Sequence, residues 1–292
     1  MSVLSARIAS RVAGFAAAAV LILASIPSAN GQVPSPGQMG SSVPNQTAIG
    51  QSGGTMNDEL QYGTFGHQVE RDQDAAYKKF LKEQDQAKKI QLGNEFLRKY
   101  PKSLLAERVD VGMMNTYRAQ RDWKDTFRCA DSALALDPDD VDVLTTVGWT
   151  IPHVYNPNDS DAGQQLDTAE KYAKHAIEVM AKMPKPSGLT DEQFVAAKAA
   201  RSFQAHSALG LVYFRREDYG DSAKELALST EGNPNQDPTD LFILGVDLQN
   251  LNRHSEAAAA FRGCSQIAGV LQNQCKQNAD AAQTQVDQAK SK

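Results

Sequence analysis

The chain has few of the residues and motifs that carry chemistry. It holds three cysteines and five histidines in 292 residues, and 7% of its residues are aromatic. No cysteines have the Cys-x-x-Cys spacing of redox sites, and no histidines have the His-x-x-x-His spacing of a helical zinc site. A phosphate-binding glycine loop is also missing. These absences predict a protein with no enzymatic activity, no cofactor and no bound metal.

The charge of the chain is mildly acidic and shows no basic stripe. The formal net charge is −5, and removing the N-terminal segment with its two arginines would leave −7. The densest lysines, between positions 78 and 89, are interspersed with Glu83 and Asp85. This balance argues against nucleic acid or an anionic membrane as the main partner, because both attract basic surfaces.

The N-terminus has the layout of a secretory signal peptide. Arg7 and Arg11 flank the start of an apolar run of about fifteen residues, which is followed by small residues at 29–31. This predicts a signal peptide over residues 1–31, cleaved after Gly31, and an exported protein that is periplasmic or secreted. An uncleaved membrane anchor is the alternative, although a spanning helix needs about twenty apolar residues. No membrane insertion is expected of the mature chain.

Residues 32–70 differ in composition from the remainder of the chain. Glycine, serine, proline, glutamine and asparagine dominate this segment. Such a composition offers too little apolar surface to offset the entropy of ordering the chain. We therefore expect a flexible linker here. The apolar spacing of residues 71–102 then predicts an N-terminal helical hairpin.

Two stretches about a hundred positions apart carry the same residue types at the same intervals. An aromatic residue is followed by another after six positions, by a small residue after sixteen and by proline after twenty-one. The two sets are Tyr117, Trp123, Ala133 and Pro138, and Tyr213, Tyr219, Ser229 and Pro234. An internal period near 34 residues is typical of helical solenoids, so the sequence predicts an all-α fold of repeated helix pairs.

A triplet with steps of four and three positions recurs in the second helix of each of four predicted pairs. These steps place the three residues on one helix face, and most members are small. The triplets are Thr126/Ala130/Ala133, Ala169/Ala173/Ala176, Ser222/Leu226/Ser229 and Ala257/Phe261/Cys264. The first helices of three pairs contain Gly148, Gly210 and Gly245, at a cost of about 1 kcal/mol each relative to alanine. Together these features predict close packing of the two helices in a pair.

This pattern resembles the tetratricopeptide repeat (TPR) family. In that family, the first helix of a repeat carries Leu-Gly and then Tyr, and the part that follows carries Ala, a large residue, Ala and Pro. The strongest matches are Leu209-Gly210 with Tyr213, and Leu244-Gly245 with Ala257 and Phe261. The first repeat departs from the pattern, with Met113-Met114 in place of Leu-Gly. The resemblance implies a TPR-like α-solenoid of antiparallel helix pairs over residues 103–271. Insertions are expected near 152–165 and 183–190, and a capping helix and tail over 272–292.

The cysteines predict one covalent link. Cys264 ends the last second helix and Cys275 lies in the predicted cap, which should fold back. We expect a Cys264–Cys275 disulfide, with Cys129 as a buried apolar residue of its helix. Three free thiols are the alternative.

The TPR resemblance implies that the first helices line a concave groove that binds a peptide or helix. Offsets from the repeat glycines and tyrosines place seven side chains there: Asn115, Arg118, Trp149, Phe214, Arg215, Gln249 and Asn250. The alternatives are that Trp149 covers the insertion and that Phe214 belongs to the core. The carboxylate clamp of chaperone-binding TPR domains is not expected, because Val111 and Thr145 occupy positions where cations would help.

The sequence therefore predicts a non-enzymatic scaffold or adaptor of the cell envelope with a protein or peptide partner. The alternative is a self-associating structural or assembly factor for envelope complexes, which leaves a homo-oligomer open. A small-molecule sensor is a more distant third reading, since no deep polar pocket can be inferred.

Overall fold

The computed structural model describes residues 64–291, with side chains from residue 70 onward. The predicted signal peptide, residues 1–31, and most of the predicted linker lie outside the described residues. Residues 64–155 and 160–291 belong to one compact unit.

Eleven helices follow one another in the described part of the chain, which contains no strand. The predicted all-α class is therefore confirmed. The helices are α1 Thr64–Lys82, α2 Gln86–Lys99, α3 Ala106–Ala119, α4 Trp123–Leu136, α5 Val141–Val154, α6 Ala162–Lys182, α7 Asp191–Arg215, α8 Tyr219–Thr230, α9 Pro238–Asn250, α10 His254–Gln266 and α11 Gln272–Lys290.

Sequence neighbours pack as antiparallel pairs, and neighbouring pairs pack on each other. The pairs are α3/α4, α5/α6, α7/α8 and α9/α10, preceded by the α1/α2 hairpin and followed by α11, which packs on α10. Between pairs, α7 contacts both α5 and α6, and α9 contacts α8. The buried cores of the helices merge, so that Phe80 of the hairpin and Val212 of α7 belong to one cluster. Each pair thus covers apolar surface of the next, as expected for a helical-repeat stack.

The same turn joins the helices in three of the four pairs. Arg121, Glu217 and Asn252 each adopt a positive φ, of 60°, 61° and 59°. In each case the next residue donates a backbone hydrogen bond five residues back, as from Asp218 N to Tyr213 O at 3.0 Å. The recurrence of this turn at matching positions shows that the repetition seen in the sequence is a structural one.

Two of the three first-helix glycines lie against the middle member of a triplet. A Cβ added at Gly210 would lie 2.5 Å from Leu226 Cγ, and one at Gly245 would lie 2.6 Å from Phe261 Cε1. At Gly148 the nearest atom would be the Ala169 carbonyl oxygen at 3.3 Å. These glycines permit the close approach of the paired helices.

Aspartate side chains cap the start of four of the eight helices that form the α3–α10 pairs. Asp122, Asp140, Asp218 and Asp237 each accept a hydrogen bond from a backbone N–H in the first turn of the helix that follows. Thr190 and Gln193 form a capping box at the start of α7.

The structure differs from the expected layout at two places. Helix α1 begins at Thr64, inside the segment expected to be linker. Helix α5 continues through Pro152 to Val154, so the connection to α6 covers only residues 155–161 rather than 152–165. Pro152 lacks the backbone N–H that would bond the carbonyl oxygen of Gly148, yet α5 continues past it to Val154.

The C-terminal helix is linked covalently to the last pair. Cys264 of α10 and Cys275 of α11 form a disulfide, with Cα atoms 5.7 Å apart, and both side chains are fully buried. Cys129 is free and buried, and burial raises the pKa of its thiol to about 11. The thiol of Cys129 is therefore protonated at neutral pH and is a poor nucleophile.

Candidate functional site

Six of the seven side chains predicted for the groove retain solvent-accessible surface on the first helices. Asn115 is exposed, whereas Arg118, Trp149, Arg215, Gln249 and Asn250 are partly buried. We call these six residues the first-helix set.

Phe214 does not fit the predicted groove. Its side chain is only 5% exposed, and its ring packs edge-on against Tyr219 at 6.4 Å between centroids. The ring lies between the two helices of the α7/α8 pair and leaves little surface for a partner. Phe214 is therefore a core residue, which is the alternative given in the sequence analysis.

Arg118, on α3, is a partly buried cation without a carboxylate partner. Its Nε is buried and has no hydrogen-bond acceptor among the described residues. Burial lowers the pKa of the guanidinium, although arginine stays charged at any physiological pH. An unpaired buried N–H costs about 1–3 kcal/mol, so an acceptor brought to this position would gain that energy.

Arg215, near the end of α7, is held by groups of α5. Its Nη2 donates a hydrogen bond to the carbonyl oxygen of Pro152 at 3.1 Å, and its guanidinium carbon lies 5.4 Å from the centre of the Tyr155 ring. The last carbonyls of a helix lack helical partners, and Arg215 satisfies one of them at the end of α5. No carboxylate pairs with Arg215 within residues 70–291, and burial lowers its pKa.

Trp149 and His153 stack one turn apart on α5. Their ring centroids are 3.8 Å apart, and His153 Nδ1 lies 2.7 Å from the Trp149 carbonyl oxygen. Because that carbonyl can only accept, Nδ1 carries the proton and Nε2 is the free acceptor. Nε2 is buried without a donor among the described residues, and burial lowers the pKa of the ring. His153 is therefore neutral at physiological pH.

The structure brings Trp149 and Arg215 into one cluster around the end of α5, together with His153 and Tyr155. The sequence analysis missed these last two, because it placed both in an insertion loop after Ile151. For His153, the sequence does offer an indication: it lies four residues after Trp149, a spacing that places both side chains on one face of a helix.

The remaining members of the first-helix set are amides. Asn250 Nδ2 donates to the Val246 carbonyl oxygen at 3.0 Å, and Asn115 is exposed. Gln249 is partly buried at the end of α9. Amides of this kind pair well with the backbone of an extended peptide, because each offers both a donor and an acceptor.

The part of the chain that the structure describes holds no group of three or more histidine, cysteine or acidic side chains arranged to bind a metal ion. None of its helices combines the length and the apolar character needed to span a bilayer.

Comparison with known proteins gives remote matches among solved structures. No family model and no curated protein matches the chain. The crystal structure of PilW, described as a widely conserved type IV pilus biogenesis factor, is similar at 14% sequence identity and a TM-score of 0.48, over 77% of this chain and 93% of that one. The crystal structure of the P58(IPK) TPR domain is similar at 13% identity and a TM-score of 0.30, over 77% of this chain and 67% of that one.

The fold assignment rests on the packing within the molecule. Antiparallel helix pairs repeat along the chain, and the same positive-φ turn joins the two helices within three of the pairs. In three pairs, a glycine of the first helix lies against the second helix at a matching position. By these features, the described part of the chain has the fold of a tetratricopeptide-repeat solenoid.

Proposed function

We propose that this protein is a non-enzymatic scaffold or adaptor of the cell envelope, and that it binds a protein partner along its first helices. The observation that carries the proposal is the pair of partly buried arginines, Arg118 and Arg215, neither of which has a carboxylate partner among the described residues. Arg216, the residue after Arg215, differs because it forms ion pairs with Asp167 and Glu170.

The first-helix set combines features that suit a peptide or a helix. Trp149 offers a large apolar surface, the arginines offer directed donors, and the amides can pair with peptide backbone. Arginine and tryptophan are enriched among the residues that dominate binding energy at protein interfaces. The set lies on successive first helices, so an extended partner could contact several repeats at once.

The envelope location is part of the same proposal. Its support is the arrangement of basic, apolar and small residues over positions 1–31, which is typical of an exported protein. The disulfide between Cys264 and Cys275 is consistent with an oxidising compartment.

The test is the recovery of a partner from envelope fractions by tagged wild-type protein and by two variants. Arg118→Ala with Arg215→Ala should reduce the recovered partner about tenfold or more, because each charge-assisted hydrogen bond to a partner is worth about 1.5–3 kcal/mol. Arg216→Ala is the matched control, since it removes one arginine from the adjacent position. Equal recovery by both variants, with unchanged helix content by circular dichroism, would refute the role of the first helices.

Self-association is the competing outcome. If the protein is an assembly factor that works as a homo-oligomer, light scattering of the purified wild-type protein would give a stable mass above that of one chain. The double arginine variant would then change that mass rather than the recovery of a second protein.

A further inference from the structure

Two buried aspartates of α9 form the joint between the last two helix pairs. Asp240 is 3% exposed and Asp247 is fully buried. They are seven residues apart, which places them on one face of α9, two turns from each other. No lysine or arginine forms an ion pair with either of them within residues 70–291. Within the same range, their only side-chain hydrogen-bond partners are serines of α7 and α8.

The hydrogen bonds around Asp247 are all satisfied when its carboxyl group carries a proton. Ser222 Oγ lies 2.5 Å from Asp247 Oδ2 and 2.9 Å from the carbonyl oxygen of Gly210. A serine hydroxyl has one proton, and a carbonyl oxygen can only accept. If Ser222 donates to Gly210, then Asp247 must donate to Ser222. Asp247 Oδ1 is buried without a donor, which an ionised carboxylate would tolerate poorly.

Asp240 has the same arrangement with two serines. Ser229 Oγ lies 2.9 Å from Asp240 Oδ2 and 2.9 Å from the carbonyl oxygen of Leu226. Ser207 Oγ donates to Asp240 Oδ1 at 2.9 Å. A neutral carboxylic acid satisfies every group in this network: its carbonyl oxygen accepts from Ser207, its hydroxyl donates to Ser229, and Ser229 donates to Leu226.

We propose that Asp240 and Asp247 act in the folded protein as neutral hydrogen-bond donors, and that the joint between the α7/α8 and α9/α10 pairs opens when these carboxyl groups lose their protons. The joint is thus a proton-sensitive element that goes beyond the partner binding proposed above. Helix α10 is linked to α11 by the disulfide, so α9, α10 and α11 separate from the stack together. Gln249 and Asn250 of the first-helix set lie on α9 and leave with it.

The surroundings of the two carboxyl groups favour the neutral form. Burial raises the pKa of each to about 8, and the nearby Asp237 raises that of Asp240 further. Hydrogen bonding with the serines lowers both pKa values, but the effect of burial is larger.

Apart from His254, the other titratable groups on the described elements packed against α9 are hydrogen-bonded or solvent-accessible. On α7 and α8, His206 and Glu225 form an ion pair with 2.6 Å between Nδ1 and Oε2. Helix α10 carries His254, whose Nδ1 is buried without a partner among the described residues. The charged side chains of α10 and α11 are exposed: Glu256, Arg262, Lys276, Asp280, Asp287 and Lys290.

The sign of the pH dependence follows from where the protons are held. The closed joint retains the protons, whereas an opened, hydrated aspartate releases its proton above a pKa of about 4. Between that value and about pH 8, the opening equilibrium therefore rises about tenfold per pH unit for each carboxyl group. Above about pH 8 it levels off.

Amide hydrogen exchange of the full chain at several pH values between 6 and 9, corrected for intrinsic exchange rates, tests this proposal. In the wild-type protein, protection of α9 and α10 should fall at least tenfold per pH unit up to about pH 8. In Asp240→Asn with Asp247→Asn, where neutral amides replace both acids, this fall should vanish. Asp280→Asn, which removes one exposed acid of α11, is the matched control and should behave as wild type.

A second measurement keeps the proposal testable if the double variant does not fold. Carboxyl ¹³C NMR of wild-type protein labelled at aspartate should show two resonances that remain in the protonated range at pH 7, one missing in each single asparagine variant. Aspartate resonances that all titrate near pH 4 would overturn the proposal. So would the same fall in α9 protection for wild type and double variant.

Discussion

Replacing Gly245 with alanine is expected to destabilise the α9/α10 pair. The added Cβ would lie 2.6 Å from Phe261 Cε1 and 2.7 Å from two further ring atoms. Phe261 is fully buried and packs edge-on against Phe242 at 5.7 Å between centroids. The ring therefore has no free space into which it can move without displacing its neighbour.

The net effect is the difference between two opposing terms. Alanine is a better helix former than glycine by about 1 kcal/mol. Overpacking of a dense core costs about 1–3 kcal/mol, and a contact this short with a rigid ring lies near the upper end. We expect Gly245→Ala to lower the free energy of unfolding by about 2 kcal/mol. Gly163→Ala is the control, because nothing lies within 4 Å of its added Cβ, and it should be neutral or stabilise by up to about 1 kcal/mol.

Urea denaturation followed by circular dichroism measures both changes. Combining Gly245→Ala with Phe261→Ala removes the clash, so the double variant should be about 3 kcal/mol more stable than the sum of the single effects predicts. If Gly245→Ala is as stable as Gly163→Ala, or if the two effects simply add, then glycine is not needed for the close approach of these helices.

Three other perturbations test separate parts of the fold. Replacing both Cys264 and Cys275 with serine should lower the free energy of unfolding by about 2–3 kcal/mol, because the disulfide closes a loop of 11 residues. The change is measured by urea denaturation without reductant. An unchanged free energy would show that the C-terminal helix does not depend on this link. Glu217→Gly should raise the thermal midpoint, since a side chain at φ 61° costs about 1 kcal/mol, and a lower midpoint would contradict the turn geometry. Thr190→Ala should lower the free energy of unfolding by about 1 kcal/mol through loss of the capping box, and an unchanged urea midpoint would rule out that contribution.

The repeated elements of the fold could be predicted from sequence because each depends on local spacing. Steps of three and four residues define a helix face, and a glycine in that face indicates a close neighbour. Gly210 and Gly245 thus predicted close packing within their helix pairs, which the structure shows as contacts with Leu226 and Phe261.

The end of α5 could not be predicted in the same way. Pro152 normally ends a helix, and the polar residues after it resemble a loop. In the structure, Pro152 is buried in the last turn of α5, and its carbonyl oxygen is bound by Arg215, 63 positions further along the chain. An interaction at that separation leaves no local signal, so the cluster of Trp149, His153 and Arg215 appears only in three dimensions.

The buried acids of α9 were missed for a related reason. Asp240 and Asp247 interrupt an apolar run at a spacing of seven, which indicates that both share a face. Their partners, Ser207, Ser222 and Ser229, lie 11 to 33 positions away. Sequence spacing can show that a carboxyl group is buried, but not which hydroxyl groups form hydrogen bonds with it.

The central claim is that a partner protein lies on the first helices of the stack. Site-specific photocrosslinking in cells tests it most directly, with the reactive group placed at Asn115 of α3 or at Lys224 of α8. Both positions are exposed, but they lie on a first and a second helix respectively. We predict a defined protein adduct from Asn115 and none from Lys224. An adduct from Lys224 alone, or from neither position, would contradict the claim.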